Sequence, residues 1–154
     1  MNTNLQTKQP IAKSPGEALR AWEAAYNNRD PLALIELYAD DAQVLQVAFG
    51  DAPLFGRAAL LESFKAFFNA FPDNYTNVEN LFVDGEWAIV EWSGGGTMSG
   101  KLGDFEPTNK SFRLRGCGFF RVVAGKIIFQ RGYFDRYTWF SQIGLSIEAE
   151  QSQI

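Results

Sequence analysis

The sequence predicts an α+β domain in which helices pack on one face of a curved antiparallel sheet. Two patterns and a size argument lead there. The first half of the chain carries apolar residues at spacings of three and four. The second half reads as strands closed by two hairpin turns, Asp84-Gly85 and Ala124-Gly125. Helices followed by an antiparallel meander place the helices on one side of the sheet. The chain has 154 residues, 46% of them hydrophobic, which suits one core and one domain.

Residues 1–13 read as a flexible, polar N-terminal arm without the apolar run of a secretory signal. No stretch approaches the roughly 18 apolar residues of a membrane span, so no membrane contact and a cytoplasmic location are expected. The domain itself is expected over residues 14–145. Ser14-Pro15-Gly16-Glu17 is a helix start: Ser14 caps, Pro15 suits the first helical position, and Glu17 completes a capping box. Leu19, Trp22 and Tyr26 then share one face. Asp30-Pro31 starts a second helix through Leu34, Ile35, Leu37 and Tyr38, ended by Asp40-Asp41, and residues 43–47 read as a strand. A third helix runs from Arg57 to Phe71 with Leu60, Phe64, Phe67 and Phe68 on one side, and Pro72 stops it.

Strands are expected over residues 75–83, 87–97, 112–123 and 126–135, with a long loop at 99–109. A short helix from Tyr137 to Ile143 ends at Gly144, and residues 146–154 form a polar tail.

Composition removes several function classes. The net charge is −4 and no Lys/Arg cluster stands out, which argues against a nucleic-acid surface. There is no histidine, so the commonest metal ligand and the histidine-assisted nucleophiles are missing. Cys117 is the only cysteine, which excludes an intrachain disulfide and a cysteine zinc site. No metal and no cofactor are expected. Any catalysis falls to carboxylates, tyrosines, Arg, Lys or amides.

Strand alternation sorts the later side chains by face. With Asp135 pointing inward, Tyr133, Arg131, Phe129 and Ile127 follow it, joined across the turn by Val122, Phe120, Gly118 and Gly116. The outer face then receives Arg113, Arg115, Cys117, Phe119, Ile128 and Phe134, and a β-bulge would invert part of this assignment. An outer face holding Phe119, Ile128 and Phe134 is too apolar to stay wet, which points to a homodimer through that face.

Several motifs together resemble one family. They are Trp22…Asn27-Asn28-Arg29-Asp30, Phe55-Gly56-Arg57, Gly96-Thr97-Met98-Ser99-Gly100, Pro107-Thr108-Asn109-Lys110, Gly125-Lys126-Ile127 and Tyr133-Phe134-Asp135…Gln142-Ile143-Gly144-Leu145. With the helix–strand layout, they resemble the nuclear transport factor 2-like (ketosteroid isomerase-like) superfamily, nearest its SnoaL-like polyketide cyclase branch. The resemblance implies a cone-shaped curved sheet on three N-terminal helices, an internal pocket, and usually a dimer. A ketosteroid isomerase-like mechanism would need a carboxylate and a tyrosine where Gln46 and Trp22 stand. Epoxide hydrolysis of the limonene type would need an Arg and an Asp near Trp92 and Gly94, and these are absent. The SnoaL-like cyclases rely on one aspartate, and Asp135 matches it as the candidate catalytic base for aldol closure of a carbonyl compound. Histidines often found near it are missing, with Tyr133 at one such place.

The candidate site is therefore Asp135 as acid/base, with Tyr133, Arg131, Trp92, Gln46, Trp22 and Phe120 binding a small apolar or aromatic ligand. Two readings stay open. In one the protein is a cyclase, isomerase or lyase; in the other it binds a ligand or partner without turnover. Asp135 can equally cap the helix that follows it or pair with Arg131 or Arg136. A carboxyl raised by aromatic walls would mark a base, and one near its ordinary value of about 4 would mark a binding module.

Overall fold

The computed structural model describes residues 11–147. Most of the expected arm and tail, residues 1–10 and 148–154, lie outside the described residues. The first helix, α1 (Pro15–Asn27), begins on the expected capping box: Glu17 N donates to Ser14 Oγ at 3.2 Å and Ser14 N to Glu17 Oε2 at 2.8 Å. The second, α2 (Pro31–Ile35), is capped by Asp30 and is shorter than its sequence pattern suggests. Strand β1 (Tyr38–Gln46) already begins at Tyr38, so Asp40 and Asp41 lie in a strand rather than ending a helix. The physical reason is long-range. Ile127 N donates to Leu37 O at 2.8 Å, and Tyr38 pairs with Ile127, so the sheet captures the segment that local periodicity extends as helix. A 3-10 turn at Val47–Phe49 and the short β2 (Leu54–Phe55) lead into α3 (Gly56–Ala70).

The remaining strands are β3 (Tyr75–Asp84), β4 (Trp87–Thr97), β5 (Ser111–Val123) and β6 (Lys126–Phe134), followed by α4 (Arg136–Ile143). The first hairpin turns at Gly85-Glu86 rather than Asp84-Gly85, because Asp84 pairs with Trp87. The second turns at Ala124-Gly125 as expected, with both residues at positive φ (50° and 78°), the pairing a type I′ turn requires. The six strands form one curved, unclosed sheet in the order β2-β1-β6-β5-β4-β3. It is antiparallel except where β1 runs parallel to β6, which corrects the all-antiparallel expectation.

Helices cover the inner face. At the β3 edge, α1 supplies polar side chains in place of a further strand: Thr76 N donates to Asn27 Oδ1 at 2.8 Å, Asn27 Nδ2 to Thr76 O at 2.7 Å, and Val78 N to Glu23 Oε1 at 2.7 Å. Two clusters of buried residues fill the interior. One gathers Leu19, Trp22, Leu34, Tyr38, Leu60, Val90, Phe120 and Ile127; the other gathers Phe71, Met98, Phe112, Trp139, Phe140 and Ile143. No helix among the described residues is long and apolar enough to cross a membrane.

Candidate functional site

The site depends on a single irregularity in β6. Val122 pairs with Ile127, but Arg121 pairs with Phe129, leaving Ile128 as a β-bulge. Before the bulge the expected alternation holds, and Ile127 is fully buried. After it the faces exchange. Gln130, Gly132 and Phe134 point inward, whereas Phe129, Arg131 and Tyr133 lie on the outer face. The inward placement of Arg131, Tyr133 and Asp135, and the outward placement of Phe134, are corrected accordingly.

Asp135 is exposed and caps α4. Thr138 Oγ1 donates to its Oδ2 at 2.7 Å and Thr138 N to its Oδ1 at 3.2 Å. These bonds hold its carboxyl below the ordinary carboxylate range, the direction opposite to that of a buried base. It borders a shallow outer groove with Tyr133, Cys117, Arg115 and Glu91, not the interior. Among the described residues no ion pair joins it to Arg131. The Arg131 guanidinium instead lies over the rings of Phe119, Tyr133 and Phe129, at 5.5, 5.8 and 5.9 Å from their centroids.

The inner face carries a cavity of about 250 Å³ between the two core clusters. Four of the expected ligand-binding residues line it: Trp22, Gln46, Trp92 and Phe120. The walls are mainly aromatic. Trp22 stacks on Tyr26 at 5.0 Å and meets Phe120 edge-on at 5.4 Å. Glycines make room for side chains that lie flat on the sheet. A Cβ on Gly132 would stand 2.1 Å from Gln46 Oε1, and one on Gly116 would stand 2.4 Å from both Trp92 Cζ2 and the Tyr133 carbonyl oxygen.

A buried polar system without a local sequence signal lies beneath this cavity. Trp22 Nε1 donates to Tyr38 Oη at 2.9 Å, and Tyr38 Oη donates to Gln130 Oε1 at 2.5 Å, with all three side chains buried. Burial pushes the Tyr38 and Tyr26 hydroxyls well above the ordinary phenol range, so both stay protonated at every physiological pH. Indole, phenol, amide and hydroxyl groups give the lining its polar side-chain atoms; no Asp, Glu, Lys, Arg or Cys is among the lining residues. The arrangement can hold and orient an uncharged molecule through amide, hydroxyl and indole hydrogen bonds. It presents no carboxylate to remove a proton. Among the described residues no group of three or more His, Cys, Asp or Glu side chains is placed to hold a metal ion.

Comparison with known proteins places this geometry. The sequence profile of the SnoaL-like polyketide cyclase family matches residues 16–143. A candidate SnoaL-like polyketide cyclase from Jannaschia sp. CCS1 superposes with a TM-score of 0.78 at 17% identity, over 92% of this chain and 99% of that one. IdmH, a candidate polyketide cyclase from Streptomyces antibioticus, is 25% identical with a TM-score of 0.72, over 86% of this chain and all of that one. A protein of ketosteroid isomerase-like fold from Catenulispora acidiphila, solved with trimethylamine, is 21% identical with a TM-score of 0.73, over 88% and 98% of the two chains. No curated protein matches the sequence.

Proposed function

The chain belongs to the SnoaL-like polyketide cyclase family, and on that footing we propose that it is a small-molecule pocket protein whose cavity takes an uncharged, largely apolar ring compound. The observation that carries this reading is the cavity lining: aromatic walls, a set of neutral hydrogen-bonding groups, and no charged side chain. Burying an unpaired ionised group in such a space is strongly unfavourable, so charge is the property the site rejects most sharply. A volume of about 250 Å³ suits a molecule of one or two rings. Trp22, Phe120 and Trp92 provide faces and edges for a flat ligand. Gln46 and Gln130 supply amides for a carbonyl or hydroxyl.

The same observation favours binding without acid/base turnover over catalysis by Asp135. A general base must reach the proton it abstracts within hydrogen-bond distance or through one water. Asp135 stands on the exterior as a helix cap, and Tyr26 and Tyr38 are held protonated. The family and the likeness to IdmH, a candidate polyketide cyclase, support a polyketide-like ligand of that size. The outer sheet face, with Phe119, Phe129 and the Arg131 guanidinium laid across them, is proposed as the seat of a homodimer.

Calorimetry with naphthalene and 2-naphthoate tests the ligand reading. Naphthalene is expected to bind and the carboxylate to bind at least ~100-fold more weakly, the difference a buried unpaired charge imposes. Equal affinity for the two, or no binding of naphthalene, contradicts the proposal.

A further inference from the structure

The Ile128 bulge turns Gln130 inward, and the two ends of its amide meet different surroundings. The oxygen is taken. Trp22 Nε1 can only donate, and it donates to Tyr38 Oη at 2.9 Å. The single proton of the Tyr38 hydroxyl then needs an acceptor of its own, and Gln130 Oε1 supplies it at 2.5 Å. Tyr38 is fully buried and does not border the cavity, so neither solvent nor a ligand in the cavity can take that proton instead. Exchanging the Gln130 oxygen and nitrogen would leave the phenol proton unpaired in the core, so the indole at the head of the chain fixes which way the amide points.

Gln130 Nε2 makes no hydrogen bond among the described residues, yet it is not sealed. The buried side-chain nitrogens left without a partner there are Arg131 Nε and Trp139 Nε1. Gln130 is 6% exposed and borders the cavity, so the space open to Nε2 is the cavity itself. The amide of Gln46 lies close by over Gly132, the next inward position of β6, and Gln46 is paired with that residue across the sheet. No hydrogen bond holds the Gln46 side chain among the described residues, so it can turn either end to a ligand. Gln130 therefore presents a donor of fixed direction, and Gln46 an adaptable group. Accepting at oxygen also strengthens an amide as a donor at nitrogen, so the Trp22–Tyr38–Gln130 chain sharpens the fixed one.

We infer that Gln130 is the residue that orients the ligand, its Nε2 donating to an acceptor atom on the bound ring compound, and that Tyr38 is the positioning residue that holds Gln130 in this polarity. The inference rests on the cavity being the ligand site, as proposed above. An aimed donor in an apolar pocket rejects an analogue that covers it without pairing it more strongly than the walls reject a small change of shape.

The test compares 1-tetralone with 1-methylenetetralin, the same ring system carrying an oxygen acceptor or a CH2 group, on the full chain by calorimetry. The ketone is expected to bind about tenfold tighter, because the hydrocarbon buries Nε2 unpaired. Gln130→Leu should bring the ratio close to one. Tyr38→Phe should lower it severalfold while changing the 1-methylenetetralin affinity little, a split that a purely structural role for Tyr38 would not give. In ¹H–¹⁵N spectra of the unsubstituted protein, the Gln130 side-chain NH2 signals, assigned from the Gln130 backbone, should move with the ketone far more than with the hydrocarbon. Equal affinity of the two probes overturns the inference and leaves the cavity standing as the ligand site. So does a ratio that survives Gln130→Leu and vanishes in Gln46→Leu. A ratio unmoved by Tyr38→Phe overturns the positioning role. NH2 signals that ignore the ketone overturn the inference even where neither variant folds. Binding of neither probe removes both the inference and the cavity reading beneath it.

Discussion

Replacing Tyr38 by Phe removes one oxygen atom from the centre of the buried polar system. Tyr38 Oη accepts from Trp22 Nε1 at 2.9 Å and donates to Gln130 Oε1 at 2.5 Å. The phenylalanine ring fills the same space between Phe64 and the core, so the loss is one of hydrogen bonding rather than packing. It strands a donor and an acceptor. Each buried unsatisfied group costs ~1–3 kcal/mol, and Trp22 and Gln130 both border the cavity, where water can partly replace the hydroxyl. A destabilisation of about 2–3 kcal/mol follows, or a fall in Tm of roughly 4–12 °C for a chain of this size. Urea unfolding of Tyr38→Phe, Gln130→Leu and the double variant measures it, with a coupling of ~1 kcal/mol or more expected between the two sites. A loss below ~0.5 kcal/mol for Tyr38→Phe would refute a structural role for this network. In the folded protein, alkaline titration at 295 nm should be the same for Tyr38→Phe and the parent, because the Tyr38 hydroxyl stays protonated until the chain unfolds.

Asp135→Asn should keep the cap on α4 and leave ligand affinity unaltered, whereas Asp135→Ala should lower Tm. The folded carboxyl is held below its ordinary value, so its contribution to stability is present above the unfolded pKa and is lost as pH falls through the folded one. The Tm gap between parent and Asp135→Ala should therefore close in acid, and a gap that widens there contradicts the capping role. Gly116→Ala should cost ~2 kcal/mol or more in urea unfolding, because its Cβ would meet a backbone oxygen and the Trp92 ring. Gly132→Ala should cost less, since only the mobile end of Gln46 obstructs it, but it should alter ligand affinity by displacing that amide. Phe119→Asp would bury a charge in the proposed dimer face and should give monomer by light scattering, with an unchanged assembly contradicting that face.

Much of the fold was legible because its signals are local. The Ser14–Glu17 capping box, the Ala124-Gly125 turn and the Gly144 helix stop each sit where the sequence puts them. The start of β1 was not legible, because Leu34, Ile35, Leu37 and Tyr38 keep helical spacing and only the distant Ile127 draws them into the sheet. The expected ligand-binding residues Trp22, Gln46, Trp92 and Phe120 do line the cavity. Arg131, Tyr133 and Asp135 were misplaced because one extra residue, Ile128, turns the end of β6 over. Facing glycines at Gly118 and Gly132 were the available clue. Two small residues opposite one another mark the face where a side chain or ligand lies against the sheet. Nothing in the sequence announces the Tyr38–Gln130 bond, which joins residues far apart in the chain.

The most direct test of where the ligand lies is a crystal grown with 1-bromonaphthalene, read by the anomalous signal of bromine. A bromine peak is expected on the inner face of the sheet, among Trp22, Trp92, Phe120 and Phe134. A peak in the outer groove beside Cys117, Tyr133 and Asp135, with the interior empty, would contradict it and return Asp135 to the centre of the site.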